Sequence, residues 1–299
     1  MSTPEFIASY WTLAGNVIPL GPLAQEASTH DLGERLAVAA NAGYVGVGLM
    51  RSDLVSIRRR YDFPTIRSML AFHGMKYLEL EFLVGWMADG DELAESEVVF
   101  NDMLEAAEKL NIRHLKVGPD MNATEWPMER MVGRFANLCD RAAKAGTSVS
   151  LELMPWSNVA DLETAIAIVA GAGRDNGGLL LDIWHVARGG IAYADIANIP
   201  NGLVNYVEIN DADTELRGTL LEDTLNHRKF CGEGDFDVPR FLDALAAYGY
   251  DGPFGIEIIS GQQRSRPFAD VAKDAIRTAK REFGNMSTLC LDTNPEGAP

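Results

Sequence analysis

Four carboxylates interrupt apolar runs in the second half of the chain. They are Glu152 in SVSLELMP, Asp182 in GLLLDIWH, Glu208 in NYVEIND and Glu257 in FGIEIIS. A carboxylate among Leu, Val and Ile is desolvated, which costs free energy unless a cation or hydrogen bonds compensate it. Each acid lies close to the C-terminal end of its run, where neighbouring strands would bring the four together. Because their charges would repel, we predict that they bind a divalent metal ion, and all-oxygen ligation favours Mg²⁺ or Mn²⁺ over Zn²⁺.

The alternative is that each of these acids pairs with a basic residue and only helps to close the fold. Basic residues are scarce in these runs, and Lys116 in HLKVGPD is the main candidate partner. Lys116 is also a candidate for substrate binding. Glu79 and Glu81 in YLELEF share one face of a predicted strand, because side chains along a strand alternate with a period of two. We interpret these two acids as groups that support the site or contact the substrate.

One histidine and two arginines are further candidates for chemistry. His185 follows Asp182 by three residues, where a strand gives way to a loop. Neutral imidazole accepts or donates a proton near pH 7, so we predict a catalytic or substrate-binding role, with a hydrogen-bonded structural histidine as the alternative. The long segment ELRGTLLEDTLNHRKFCGEGDFDV contains Arg217 and Arg228. We predict that both bind a substrate carboxylate, phosphate or hydroxyl, with a solvated surface arginine as the alternative.

The elements that would position these residues alternate along the whole chain. Short apolar runs alternate with amphipathic stretches, which predicts βαβ units and a parallel sheet. Eight such units in 299 residues is the count of a closed (β/α)8 barrel, whose active sites lie at the C-terminal rim. The predicted strands are 7–14, 44–50, 76–82, 113–118, 147–154, 178–184, 204–210 and 254–259. The predicted helices are 30–42, 97–112, 129–145, 161–173, 237–248 and 268–283. We predict one TIM-barrel domain over residues 1–286 and a loose C-terminal tail over residues 287–299.

Composition restricts the class of partner. The formal net charge of −17 argues against nucleic acid and against an anionic membrane surface, because both require basic patches. The three cysteines are far apart and odd in number, which favours a reducing compartment over a disulfide framework. No basic segment followed by an apolar core opens the sequence, and no run reaches the length of a membrane span. We therefore expect a soluble, cytoplasmic protein.

The order of these motifs resembles the sugar phosphate isomerase/epimerase family of xylose isomerase-like TIM barrels. LEL with Glu152, LLLDIWH, VEIND, GEGDFDVPRFLDAL and YDGPFGIEI with Glu257 follow one another from about residue 148 to residue 260. The resemblance implies a metal, often Mn²⁺, Mg²⁺ or Co²⁺, with Zn²⁺ as an alternative, held by Glu152, Asp182, Glu208 and Glu257. It also implies that His185 touches the substrate and that Glu152 and Glu257 move protons. Barrels of this family are often homo-oligomers, and the sequence leaves the oligomeric state open.

The chain departs from this family at one position. The ligand on the seventh strand is typically His in the ketose epimerases and Gln in members that resemble 3-dehydroshikimate dehydratase, whereas this chain has Glu208. A fourth carboxylate makes the site more negative and weakens the Lewis acidity of the metal. The departure leaves the metal and the reaction open.

The chemistry implied by these residues is enolate chemistry on a small sugar or keto-polyol. A metal that binds a carbonyl oxygen and an adjacent hydroxyl acidifies the C–H between them and stabilises an enediolate. Return of the proton at another face or carbon is epimerisation or isomerisation, which we favour. Loss of a β-hydroxyl from the same intermediate would make the protein a dehydratase or lyase. Two weaker alternatives are a DNA-repair endonuclease and a barrel that only binds a ligand.

Overall fold

A computed structural model describes residues 3–20 and 23–286, and the predicted loose tail lies outside these residues. Eight parallel strands close into a barrel in which each strand pairs with its neighbours in sequence and the eighth pairs with the first. The strands are β1 (Phe6–Ala8), β2 (Gly46–Met50), β3 (Tyr77–Leu83), β4 (His114–Val117), β5 (Ser148–Glu152), β6 (Gly177–Asp182), β7 (Val204–Ile209) and β8 (Phe254–Ile256). The prediction of a (β/α)8 barrel is confirmed.

Helices surround the barrel and bury an apolar layer against the outer faces of the strands. In the described residues they are α1 (Tyr10–Leu13), α2 (Leu23–Glu26), α3 (Leu32–Ala42), α4 (Arg51–Arg58), α5 (Phe63–Phe72), α6 (Gly90–Leu110), α7 (Met128–Lys144), α8 (Leu162–Ala172), α9 (Ile183–Arg188), α10 (Leu220–Asn226), α11 (Val238–Tyr248) and α12 (Phe268–Gly284). Among these residues, none of the helices combines the length and the apolarity that crossing a bilayer would require.

All six predicted helices are present, but seven of the eight strands are shorter than predicted, and the structure shows why the first and the sixth end early. The first ends at Ala8, and the chain turns into α1, where Thr12 is held at the end of β8. Its hydroxyl donates to the carbonyl of Ile256, the last residue of β8, and accepts from the amide of Ile258 just beyond it. The sixth ends at Asp182, whose carboxylate accepts from the amide of Trp184 and caps α9. His185 therefore lies on a short helix rather than at the start of a loop.

The interior of the barrel is apolar at one level and charged at another. Ile7, Leu180 and Tyr206 form a small buried cluster inside the ring of strands. Glycine makes room for the long acids beside it: Gly255 pairs in register with Glu208, and a Cβ on Gly255 would lie 2.9 Å from Cγ of that glutamate. The strands therefore accommodate buried carboxylates at this level without displacing the neighbouring strand.

Candidate metal centre and active site

The four predicted metal ligands converge at the C-terminal ends of the last four strands. Glu152 ends β5, Asp182 ends β6, Glu208 lies near the end of β7 and Glu257 directly follows β8. Asp182 and Glu208 are partners in the parallel register of their strands, which places their side chains next to each other. One oxygen from each of the four carboxylates lies within 4.8 Å of the oxygens of the other three, and all four residues are buried.

Two buried cations also contact these acids. The Lys116 ammonium on β4 lies 2.5 Å from Oε1 of Glu208 and 3.6 Å from Oε1 of Glu257. The Arg228 guanidinium donates to Oδ2 of Asp182 at 2.5 Å and to Oε2 of Glu257 at 2.9 Å. The structure thus combines both predictions from the sequence, because the acids cluster as metal ligands would and some of them also pair with basic residues.

The cluster nevertheless carries an excess of negative charge. Among the described residues, six buried carboxylates share this region with Lys116 and Arg228 as buried cations: Glu79, Glu81, Glu152, Asp182, Glu208 and Glu257. Burial raises the pKa of Glu81 to about 8 and that of Glu257 to about 7, despite the nearby Lys116. Burial and the charge of Glu257 raise the pKa of Glu208 well above its usual range. An additional cation would relieve this repulsion.

The donor set fits a divalent cation. Two oxygens on opposite sides of Mg²⁺ lie about 4.2 Å apart, since each bond is about 2.1 Å long, and the four carboxylates already place oxygens within a similar span. Oε2 of Glu208 is buried and has no hydrogen-bond partner in the described residues, so it is available as a ligand. An ion held only by carboxylate oxygens is a hard cation such as Mg²⁺ or Mn²⁺.

His185 lies beside the predicted metal ligands and is itself buried. Its Nε2 is 3.3 Å from Oε1 of Glu152 and 3.5 Å from Nη2 of Arg228. The ring of Trp156 lies 5.5 Å from the imidazole of His185 and 6.0 Å from the ring of Trp184, measured between ring centroids. These contacts hold the imidazole next to the carboxylate of Glu152.

A small cavity that is open to solvent lies above this cluster. Glu81, Glu152, His185, Arg228 and Glu257 line it. The predicted catalytic residues therefore share one accessible space with the predicted metal ligands that flank it.

The predicted substrate-binding residues divide between the cavity and other places. Arg228 lines the cavity, whereas Lys116 lies beneath it as an internal counter-charge that contacts both Glu79 and Glu81. Glu79 and Glu81 share one face of β3, as predicted, and their contacts with Lys116 show that this face points into the barrel. Arg217 does not reach the cavity, because its guanidinium is more than half exposed and pairs with Asp213 on the surface. This placement does not support a role for Arg217 in substrate binding.

Asp211 is an organising residue that the sequence analysis did not identify. Its buried carboxylate accepts hydrogen bonds from the amides of Ala212, Gly232, Gly234 and Phe236. These bonds hold the GEGD turn against the end of β7, and Arg228 lies only a few residues earlier in the same segment. Two features of the sequence could have identified this residue. Asp211 directly follows the VEIN motif of β7, and the backbone amides of the glycine-rich GEGD turn need a hydrogen-bond acceptor.

We expect Asp211→Ala to lower the free energy of unfolding by about 3 kcal/mol, because several buried amides lose a charged acceptor. Amide hydrogen exchange of Gly232, Gly234 and Phe236 should accelerate in the same variant. Asp211→Asn keeps one carbonyl acceptor and is the matched control, with a smaller loss. Unchanged exchange at these three amides in the alanine variant would show that Asp211 does not hold the turn.

A closed (β/α)8 barrel with converging acids at its C-terminal rim defines a class of barrel enzymes. The chain belongs to the xylose isomerase-like TIM barrel family, whose sequence model matches residues 36–282. Its relatives are enzymes. A 3-dehydroshikimate dehydratase of Pseudomonas aeruginosa is 29% identical over 255 residues, which cover 83% of this chain and 39% of that protein. An inosose isomerase of Halalkalibacterium halodurans is 28% identical over 247 residues, covering 80% of this chain and 85% of that protein.

A solved structure supports the same fold. The crystal structure of the IOLI protein with a zinc atom superposes with a TM-score of 0.82 at 20% identity, over 95% of this chain and 99% of that one. The chain spans only 39% of the length of the dehydratase, so it corresponds to one part of that longer protein.

Proposed function

We propose that the protein is a divalent-metal-dependent isomerase or epimerase of a small hydroxy-carbonyl compound. The observation that carries this proposal is the convergence of four buried carboxylate oxygens beside His185 at the floor of an open cavity. Glu152, Asp182, Glu208 and Glu257 would hold the ion. When bound, a divalent ion supplies Lewis acidity that stabilises negative charge on the oxygens of the substrate. Mn²⁺ and Mg²⁺ suit the donor set best, with Co²⁺ and Zn²⁺ as further metals to test.

The residues that move the proton are Glu152 and Glu257. One carboxylate removes the proton from the carbon next to the carbonyl, and the other, or His185, returns a proton at the opposite face or at the neighbouring carbon. Two contacts orient the pair: His185 lies 3.3 Å from Glu152, and Arg228 donates to Glu257 at 2.9 Å. Positioned acids and bases of this kind contribute about 10²–10⁴-fold to the rate. Arg228, which lines the cavity as a buried cation, also binds an oxygen of the substrate.

Removal of the metal should abolish proton exchange. Protein loaded with Mn²⁺ in D₂O should incorporate deuterium next to the carbonyl of at least one compound among L-ribulose, an inosose, 3-dehydroshikimate, 2-hydroxycyclohexanone and 2-hydroxyacetophenone, as measured by ¹H NMR. Treatment with EDTA should stop the exchange, and Mn²⁺ or Mg²⁺ should restore it. Exchange that continues at full rate in metal-free protein, or no exchange of any of the five compounds with Mn²⁺, Mg²⁺, Co²⁺ or Zn²⁺, would contradict the proposal.

A dehydratase or lyase is the second candidate function, because identity to the 3-dehydroshikimate dehydratase is as high as identity to the inosose isomerase. The same carboxylates would remove the proton, and a β-hydroxyl would then leave as water. The two functions differ in their products. An increase in ultraviolet absorbance from a new conjugated double bond identifies dehydration. Deuterium incorporation without loss of water from the compound identifies isomerisation or epimerisation.

A further inference from the structure

The cavity above the carboxylates has two chemically distinct parts. Among the described residues that line it, the side chains that can form strong hydrogen bonds are Glu81, Glu152, His185, Thr224, Arg228 and Glu257. These six form one connected patch. Thr224 accepts from Arg228 at 2.8 Å, and Arg228 in turn contacts Glu257 and His185. The patch continues through His185 to Glu152 and through the Lys116 ammonium to Glu81.

The rest of the lining is an apolar wall. It combines aromatic and aliphatic side chains from strand β3, from short helices and from loops at the C-terminal end of the barrel. Its largest members include Trp11, Phe82, Met121, Met154, Trp156 and Leu221. Two indole N–H groups and the weakly accepting sulfurs of methionine are the hydrogen-bonding atoms of these side chains. The wall begins immediately beside the polar patch, because the ring of Trp156 is 5.5 Å from that of His185.

This division restricts the substrate that the proposed enzyme would take. A hydroxyl pressed against the carbon surface of this wall gives up hydrogen bonds to water and gains none in exchange, which is unfavourable. A C–H surface against the same wall removes apolar area from water on both sides, which is favourable. A compound with hydroxyls on every carbon satisfies the patch at one end but leaves its other hydroxyls facing aromatic and aliphatic side chains.

Building on the proposed function, we propose that the substrate is amphipathic. Its hydroxy-carbonyl oxygens cluster at one end, over the polar patch, and the remainder is a ring or chain that carries hydrogen rather than hydroxyl. The carbons at the reacting end are then held by Arg228, His185 and the carboxylates, while the apolar body contacts the wall.

Two ligands with the same six-carbon ring and the same reacting group test this proposal. 2-Hydroxycyclohexanone and an inosose differ in the extra hydroxyls of the inosose. Their dissociation constants are measured by isothermal titration calorimetry on the full chain, with and without Mn²⁺. We expect 2-hydroxycyclohexanone to bind at least about ten-fold more tightly. Equal affinities, tighter binding of the inosose, or no binding of either ligand would overturn the proposal.

Two leucines in the same segment provide a matched pair of variants. Leu221 is 37% exposed and lines the cavity, whereas Leu216 is 42% exposed and does not. Leu221→Asn should reduce the preference for 2-hydroxycyclohexanone about three-fold, because it places an amide in the wall. Leu216→Asn should leave the preference unchanged. A Leu221→Asn variant that binds both ligands as the wild type does would also overturn the proposal.

The binding measurement is independent of the reaction. Failure of the proposed function would be seen as absent deuterium exchange, whereas failure of the substrate proposal would be seen in the ratio of dissociation constants. A protein that exchanges protons on keto-polyols but prefers the inosose would retain the proposed function and lose only the amphipathic substrate.

Discussion

Glu257→Gln and Glu152→Gln should each lower kcat for proton exchange by about 10²–10⁴-fold, the contribution of a positioned acid or base. Glutamine keeps an oxygen that can ligate a metal and preserves the size of the side chain, but it cannot accept the proton. The loss should therefore fall on kcat, with the metal content of the purified variants close to that of the wild type. Deuterium incorporation by ¹H NMR gives the rate, and elemental analysis gives the metal content.

Glu163→Gln is the matched control for these two variants. Glu163 is an exposed residue in the first turn of α8, the helix that follows β5 and Glu152. The same chemical change at this position should leave kcat within about two-fold of the wild type, because surface substitutions of this kind rarely disturb a fold. If either active-site variant kept full turnover, the proton chemistry assigned to that glutamate would be wrong.

Lys116→Met should lower the free energy of unfolding by about 3–5 kcal/mol in metal-free protein, the cost of leaving buried charge uncompensated. Burial alone would lower the pKa of Lys116, but Glu208 and Glu79 raise it well above its usual range, so the side chain is a cation in the folded state. Removing it leaves both acids in the barrel interior without their shared partner. Urea denaturation in the presence of EDTA measures the loss.

The double variant Lys116→Met/Glu208→Gln separates charge from packing. It removes both members of the closest ion pair that Lys116 forms, so its free energy of unfolding should be higher than that of Lys116→Met alone. Lys273→Met, at an exposed position of α12, should change stability by no more than about 0.5 kcal/mol. A loss below about 1 kcal/mol for Lys116→Met would show that this lysine does not balance the acids.

The sequence was sufficient to predict the barrel and the acids at its rim. Both follow from local patterns: apolar runs alternating with amphipathic helices predict the strand order, and a carboxylate within an apolar run identifies a buried charge. Glu152, Asp182 and Glu208 each lie where the pattern places them, and Glu257 lies one residue beyond its strand. The shortening of β1 was not predictable in this way, because it depends on hydrogen bonds between Thr12 and residues more than 240 positions away.

Side chains that act through distant partners could not be assigned from the sequence. Arg217 and Arg228 lie in the same polar segment and look equivalent, yet one pairs with Asp213 on the surface and the other reaches Asp182 and Glu257 inside the barrel. The apolar wall of the cavity is likewise assembled from a strand, short helices and loops that are far apart in the sequence. No single stretch of sequence carries a signal for such a surface, since its members meet only after the barrel closes.

The most direct test of the metal centre is anomalous diffraction from a crystal of the full chain soaked in MnCl₂. We expect one strong peak at the barrel rim, surrounded by carboxylate oxygens of Glu152, Asp182, Glu208 and Glu257 at about 2.0–2.3 Å. The absence of such a peak at saturating Mn²⁺ would contradict the account. So would an ion bound only at another place, with the four acids paired only to Lys116 and Arg228.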